Sequence, residues 1–131
     1  MKCMFWNLRG IANSPTKLAL KKLLVIHKPD MFFLSEPWID ISKFSLFWLH
    51  KLGYKLFSVN NRGTLSPNLW CFCTRDINLV IILSDEQHVS FQITSNSKTF
   101  CLAAIYASTC HIKRRRLWES LTQIQNNHSL P

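Results

Sequence analysis

The stretch FWNLRG, residues 5–10, indicates the fold because an apolar run ends abruptly on an amide, Asn7. A second apolar run, MFFLSE at 31–36, ends on Glu36, one of only seven acidic residues in the chain. Between them, residues 13–30 space their leucines as a helix does, with Ser14 as a candidate cap and prolines in the first turn and past the end. The order predicts a strand, a helix of about four turns and a second strand.

This order is typical of a right-handed βαβ unit with parallel strands. Parallel strands end at the same edge of a sheet, so Asn7 and Glu36 are expected side by side, where open α/β sheets bind ligands. A carboxylate beside an amide, in a basic surrounding, suits a hard divalent cation such as Mg²⁺. A local cap by Glu36 and a chain turn at Asn7 would explain the same pattern, and both interpretations stay open here.

The composition indicates one globular domain with a polyanionic partner. The 131 residues are 47% hydrophobic and 18% charged, and sixteen Lys and Arg against seven Asp and Glu give a net charge of +9. Such an excess favours a nucleic acid or an acidic membrane surface, without indicating which. The longest purely apolar run, LVIIL at 79–83, is too short to span a membrane. The N-terminal apolar stretch is broken by Asn7 and Arg9, unlike a signal peptide, so an intracellular protein is expected.

The cysteine pattern also indicates an intracellular protein. An odd count of five, without a CxxC pair, argues against a disulfide framework and a classical zinc module. Buried free thiols in a reducing compartment, the nucleus or the cytoplasm, are expected instead.

The rest of the chain is predicted to be mainly β. A helix is expected at about 42–51, strands follow at 54–59, 68–74, 78–84, 88–94 and 99–108, and a last helix begins near His111. In that helix Leu117, Trp118 and Leu121 are expected to face inward. Its first turns carry the densest positive cluster, Lys113, Arg114, Arg115 and Arg116, which is either a solvated basic face or a phosphate-contacting one.

Four tryptophans are interpreted by their spacing. Trp6, Trp48 and Trp70 fall at strand and helix positions typical of a core. Trp38 comes two residues after Glu36 and is the tryptophan expected to be able to face the site.

Three segments together resemble a known family: FWNLRGIANSPTKLALKKL at 5–23, KPDMFFLSEPW at 28–38 and AAIYASTCHIKRRRLWESLTQIQ at 103–125. They resemble the endonuclease/exonuclease/phosphatase superfamily, and within it the apurinic-type endonuclease domain of plant non-LTR (LINE-type) retrotransposons. The resemblance covers essentially the whole chain, in order and at suitable spacing. It implies the N-terminal half of a four-layered α/β sandwich of the deoxyribonuclease I type, a mixed sheet with flanking helices.

The same resemblance implies a chemistry, magnesium-assisted hydrolysis of DNA phosphodiester bonds. It gives Glu36 the role of metal ligand and has Asn7 orient the metal and the catalytic cluster. Tyr106 would contact the scissile phosphate. Arg9 would either meet a phosphate or remain solvated.

One departure from the family pattern is large. Family members continue into a Gly-Asp-Phe-Asn strand and a later Ser-Asp-His, whereas this sequence stops at Pro131. Residues 1–131 are therefore expected to be a single, C-terminally truncated domain, inactive alone and prone to self-association through an uncovered sheet face. Two alternatives remain: a basic nucleic-acid-binding or interaction module without catalysis, and a hydrolase that recruits the missing groups from a partner or by local rearrangement.

Two short segments mimic the missing residues. RDIN carries Asp76 and Asn78, and SDEQH carries Ser84, Asp85 and His88. Both lie between predicted strands and are typical of polar turns, the first of them a hairpin turn. Neither is expected to be catalytic.

Overall fold

The computed structural model describes residues 1–131 and contains seven strands, three α-helices and one 3₁₀ turn. In chain order these are β1 (Cys3–Asn7), α1 (Ser14–His27), β2 (Met31–Ser35), the 3₁₀ turn (Ile41–Lys43), α2 (Phe47–Lys51), β3 (Tyr54–Val59), β4 (Leu69–Thr74), β5 (Asn78–Ser84), β6 (His88–Ser95), β7 (Lys98–Ile105) and α3 (His111–Asn127). The chain divides into two compact units, Met1–Asp76 and Ile77–Pro131. The single-domain organisation stays a prediction.

The first unit is built on a four-stranded mixed sheet in the order β1-β2-β4-β3. Strands β1 and β2 are parallel with Asn7 opposite Ser35, and the other pairs are antiparallel. The predicted βαβ unit is therefore present, and β2 is buried along its whole length, as its unbroken apolar sequence indicated.

Helix α1 is capped one residue earlier than expected. The side chain of Asn13, not Ser14, accepts the backbone N–H of Thr16 over 2.8 Å. Asn13 has an extended backbone and can reach the first turn, whereas Ser14 is already helical. At the other end Lys28 adopts a left-handed conformation, and its N–H closes the helix on the carbonyl of Leu24.

The core of the first unit lies where α1, the 3₁₀ turn and α2 pack on the sheet. Trp70 is fully buried there, and Trp6 and Trp48 are partly buried against the same cluster, so their core assignments are confirmed. Buried members of the cluster are Leu8, Ile11, Leu20, Leu24, Phe32, Leu34, Phe44, Leu49, Tyr54, Trp70 and Phe72.

Helix α2 is shorter than the predicted 42–51. The side chain of Asp40 accepts the N–H and the hydroxyl of Ser42, at 2.9 and 2.7 Å, and so starts a separate 3₁₀ turn. The α-helical residues begin only at Phe47.

The second unit is an antiparallel sheet in the order β5-β6-β7, followed by α3. The segment with Asp76 and Asn78 joins β4 to β5, which belong to different sheets, so the predicted hairpin there is wrong. Its polar residues turn the chain between sheets. The segment Ser84–His88 does join two paired strands, β5 and β6, as predicted.

The inward placement of Trp118 is also wrong, because its side chain is 60% exposed. Residues that are adjacent on an α-helix point about 100° apart, so the neighbour of a buried residue need not be buried. Leu117 is buried, and the half-buried Leu121 and Ile124 continue its stripe at helical spacing.

Among the strands, the exposed large apolar side chains lie on the edge strands β1 and β5. Phe5 on β1 and Val80, Ile81 and Leu83 on β5 are exposed, while β2 and most of β4 and β6 are buried. Self-association through an uncovered face stays a prediction. All five cysteines are free, and Cys71 and Cys73 are buried as expected. The expected burial is wrong for Cys3 and Cys110, which are exposed on an edge strand and just before α3. None of the helices has both the length and the apolar character needed to cross a membrane.

Candidate functional site

The loops that follow β1 and β2 are joined by a short ladder of backbone hydrogen bonds. The N–H groups of the first loop donate to carbonyls at the end of β2 and just beyond it: Leu8 to Ser35 (2.9 Å), Gly10 to Glu36 (2.9 Å) and Ile11 to Pro37 (3.0 Å). The ladder extends the parallel pairing past the ends of the strands. It brings Asn7 and Glu36 to the same edge of the sheet, as the sequence predicted.

Three of the six non-glycine residues with a positive φ lie in these two loops. Arg9, Glu36 and Trp38 have φ angles of 49°, 51° and 59°, and Gly10 has 103°. The left-handed conformation costs a residue with a side chain about 1–2 kcal/mol. Such strain persists only where the surroundings enforce it, and in proteins it gathers at functional sites. The strain therefore marks this edge as a candidate site.

Asn7 forms a local chain turn, which the sequence left open as an alternative to a cation site. Its side-chain oxygen accepts the N–H of Arg9 over 3.3 Å, and both side chains are exposed. The contact is long, and an amide oxygen has two lone pairs, so the oxygen can also bind a cation. The turn and the cation site are therefore compatible.

Glu36 is half-buried, and its position depends on two asparagines that sequence reasoning missed. Its N–H donates to the carbonyl of Asn68 over 3.0 Å. The fully buried side chain of Asn60 accepts the N–H groups of Asn68 and Leu69, both at 2.9 Å, and donates to the side chain of Asn68 over 2.7 Å. The available signal was an asparagine at each end of the loop between β3 and β4.

The donor set at this edge suits magnesium more than zinc. It offers a carboxylate from Glu36 and an amide oxygen from Asn7, and the chain gathers no group of three or more His, Cys, Asp or Glu that could hold a metal. Mg²⁺ takes oxygen ligands, keeps several waters and needs only one or two carboxylates. Ser35, opposite Asn7 in register, also has a buried hydroxyl without a hydrogen-bond partner. These residues fit part of a magnesium site.

Tyr106 belongs to the second unit, directly after β7. Its N–H donates to the carbonyl of Gln87 over 2.8 Å, and its side chain is half-buried. The side chain of Gln87 donates to the carbonyl of Lys113 over 2.8 Å and accepts the N–H of Ser108 over 2.9 Å. Gln87, a residue that no pattern in the sequence singles out, thus ties Tyr106 to the start of α3.

Two cations of the predicted basic cluster contact other groups of the protein, and the other two face solvent. The Arg114 guanidinium donates to the carbonyls of Ser108 (3.3 Å) and Thr109 (2.9 Å), so it anchors the start of α3. The Lys113 ammonium lies 3.7 Å from the carboxylate of Glu86. Arg115 and Arg116 are exposed, and their guanidinium groups make no hydrogen bond or ion pair. They line a shallow surface groove with Trp118.

The turn Ser84–His88 holds a buried polar chain that the sequence did not reveal. His88 is fully buried, with Nδ1 2.8 Å from the Ser90 hydroxyl and Nε2 3.1 Å from Asp85 Oδ2, the latter outside hydrogen-bonding geometry. Asp85 Oδ1 accepts the N–H groups of Gln87 and His88. Burial lowers the pKa of His88, although the Asp85 carboxylate opposes the shift. The lowered pKa favours the neutral form of this buried imidazole.

Solved structures with a similar fold identify the architecture. The endonuclease domain of TRAS1, a telomere-specific non-LTR retrotransposon, matches 96% of this chain with a TM-score of 0.68 at 15% identity. The chain has the endonuclease/exonuclease/phosphatase fold. The human Nocturnin catalytic domain, solved with bound sulfate, matches 99% of the chain (TM-score 0.65, 17% identity), and the AP endonuclease LMAP of Leishmania major matches 88% (0.57, 15%). The predicted fold class is confirmed.

The match covers only part of these structures. The chain spans 52% of the TRAS1 domain, 61% of the Nocturnin domain and 43% of LMAP. No family model and no curated protein matches the sequence. At these identities the likeness establishes the endonuclease/exonuclease/phosphatase fold, and the chemistry has to be argued from the residues.

Proposed function

We propose that this chain provides the metal-binding and phosphate-binding part of a magnesium-dependent DNA endonuclease site, of retrotransposon type. The observation that carries the proposal is the meeting of Asn7 and Glu36 at the carboxyl ends of two parallel strands, on backbone held in strained conformations. The fold supports it, because the similar structures include the TRAS1 endonuclease domain and the AP endonuclease LMAP.

Each residue has a proposed role. The Glu36 carboxylate and the Asn7 amide oxygen would hold the metal ion, which when bound stabilises charge on phosphate oxygens and lowers the pKa of water. The exposed guanidinium of Arg9 attracts a phosphate to the same edge, since guanidinium groups bind phosphate oxygens bidentately. The contact of Tyr106, in the second unit, with the scissile phosphate stays a prediction from the family resemblance.

The residues gathered at this edge lack one part of the chemistry. Attack on a phosphodiester needs a group that takes a proton from the attacking water, and Glu36 is already used as a ligand. No further carboxylate or histidine completes a cluster of three with it. We therefore propose that this chain alone is inactive, and that the base and the remaining phosphate contacts come from further polypeptide of the kind that the longer neighbours contain.

The metal site can be tested without any cleavage. Mn²⁺, a paramagnetic substitute for Mg²⁺, should broaden the NMR signals of residues 7–10 and 36–38, and Glu36→Gln should remove this effect by removing the charge of the ligand. Asp40→Asn is the matched control, because Asp40 is a nearby acid already engaged with Ser42. Equal broadening in the Glu36→Gln variant would reject the site.

Cleavage separates the proposal from the competent-hydrolase alternative. With Mg²⁺ we expect the purified chain to leave supercoiled DNA intact. If the chain nicks DNA and Glu36→Gln abolishes nicking, the chain is a complete hydrolase.

A second candidate function is DNA binding without catalysis. It is favoured by the exposed Arg115 and Arg116 beside the exposed Trp118 on α3. In that case DNA binding should be unchanged by chelators and by Glu36→Gln, and Mn²⁺ should find no site at Asn7.

A further inference from the structure

Trp38 is the most exposed tryptophan of the chain. Its side chain is 70% exposed, whereas Trp70 is fully buried and Trp6 and Trp48 pack against the core. Burying an indole is strongly favourable, so an exposed one forgoes a large hydrophobic gain. Trp38 combines this exposure with a left-handed backbone, φ 59°, which its Cβ disfavours. Neither feature benefits the fold.

The ring nevertheless stands on fixed backbone. On one side Pro37 is buried, and its carbonyl accepts the N–H of Ile11 over 3.0 Å. On the other side Ile39 packs against the hydrophobic core. The ring itself lies against Gly10, where a Cβ would stand 2.9 Å from its Cε3 atom. Trp38 is thus a pre-positioned aromatic surface and not a swinging side chain.

The surroundings indicate which ligand this surface suits. Trp38 lies two residues past Glu36, and the exposed Arg9 is next to Gly10 on the adjoining loop. A flat aromatic face with a guanidinium nearby, on a chain of net charge +9, suits a nucleobase attached to a phosphate. Bases within a duplex already stack on one another, so only a base that is unpaired, flipped or terminal is free to stack on the indole.

We propose that Trp38 is a stacking platform for an unpaired nucleobase beside the phosphodiester bound at Asn7 and Glu36. The inference rests on the proposed function and deepens it, since it names the substrate class as single-stranded or locally unpaired DNA. Stacking on an indole tolerates any base, so the platform selects for lack of pairing and not for sequence.

The test uses the full chain and a single-stranded oligonucleotide that contains one 2-aminopurine, with chelator present. Stacking on an aromatic ring quenches the fluorescence of this base analogue. We expect quenching on binding, a loss of the quenching in Trp38→Ala with affinity about 5-fold or more weaker, and substantial retention in Trp38→Phe. Phe47→Ala is the matched control, because its ring is also exposed (65%) but lies on α2, outside the proposed sites.

Each outcome has one meaning. The proposal would be overturned if quenching persisted in Trp38→Ala, or if Trp38→Phe bound as weakly as the alanine variant. Equal quenching with a fully paired duplex, or no binding of a single strand by the chain, would also overturn it. Intact quenching together with absent Mn²⁺ binding would reject the metal site and retain the platform, so the two failures are distinguishable.

Discussion

The backbone N–H of Gly10 donates to the carbonyl of Glu36 over 2.9 Å, so the loop after β1 is fixed to the loop after β2. The same glycine has a φ of +103°, and the ring of Trp38 packs against it. One residue without a side chain thus permits the turn, the hydrogen bond and the close approach of the indole.

Gly10→Ala should therefore destabilise the chain more than an equivalent change at Gly53. Gly53 has a similar φ of +92°, but no atom lies within 4 Å of the point where its Cβ would stand, so Gly53→Ala measures the backbone strain alone, about 1–2 kcal/mol. Gly10→Ala adds a clash with a ring on fixed backbone. Urea unfolding of both variants gives the comparison, and equal losses would show that the ring moves freely.

The βαβ edge could be predicted because it depends on local signals. Strand runs that end in polar residues, a helix bounded by prolines and the chirality of the crossover together place Asn7 beside Glu36. The strain at Arg9 and Glu36 could not be predicted, because left-handed conformations at residues other than glycine are enforced by tertiary hydrogen bonds. The cap at Asn13 was missed since Asn13 and Ser14 are both good capping residues.

The roles of the cations in the basic cluster could not be predicted, for a different reason. Lys113, Arg114, Arg115 and Arg116 look alike in the sequence, and only the fold shows that the Arg114 guanidinium is engaged by the carbonyls of Ser108 and Thr109. Side-chain to backbone contacts of this kind depend on where the preceding loop lies, and the sequence does not encode them locally.

We expect Arg115→Ala with Arg116→Ala to weaken DNA binding uniformly across sequences. If both cations contact phosphates, the slope of log affinity against log salt should flatten by about 1.8, at about 0.9 per contact. Arg114→Ala should change the slope little and lower the free energy of unfolding instead, because it releases two carbonyls at the start of α3. An unchanged slope in the double variant would make Arg115 and Arg116 an ordinary solvated face.

His88 should make the stability depend on pH on the acid side. Burial keeps the pKa of His88 in the folded state below the usual 6.5. Below about pH 6.5 the unfolded chain therefore binds a proton at this histidine that the folded chain does not bind. The free energy of unfolding then falls as the pH falls from about 6.5 through the folded pKa, and above that window His88 has no effect. His88→Gln should flatten this part of the curve in urea titrations at several pH values. His111→Gln, at an exposed histidine of the same unit, is the control, and a His88→Gln curve that keeps the full slope contradicts the assignment.

Asn60 offers a test of how the fold supports Glu36. Its buried side-chain oxygen accepts two N–H groups, from Asn68 and Leu69, and the carbonyl of Asn68 accepts the N–H of Glu36. Asn60→Ala leaves the buried N–H of Leu69 without that acceptor, at about 1–3 kcal/mol, and the N–H of the half-buried Asn68 at a somewhat smaller cost. We therefore expect a loss of about 2–5 kcal/mol in urea unfolding, and weaker Mn²⁺ binding at Glu36 under conditions where the variant is still folded.

The neighbouring asparagine is the matched control for that change. Asn61 is exposed, and its side chain accepts the N–H of Gly63 over 3.0 Å within the loop. Asn61→Ala should cost about 1 kcal/mol or less, because water replaces the lost acceptor, and it should leave Mn²⁺ binding unchanged. If Asn60→Ala loses stability but keeps the full Mn²⁺ affinity, the asparagine network stabilises the sheet without positioning Glu36, and the ladder from Gly10 alone holds the carboxylate in place.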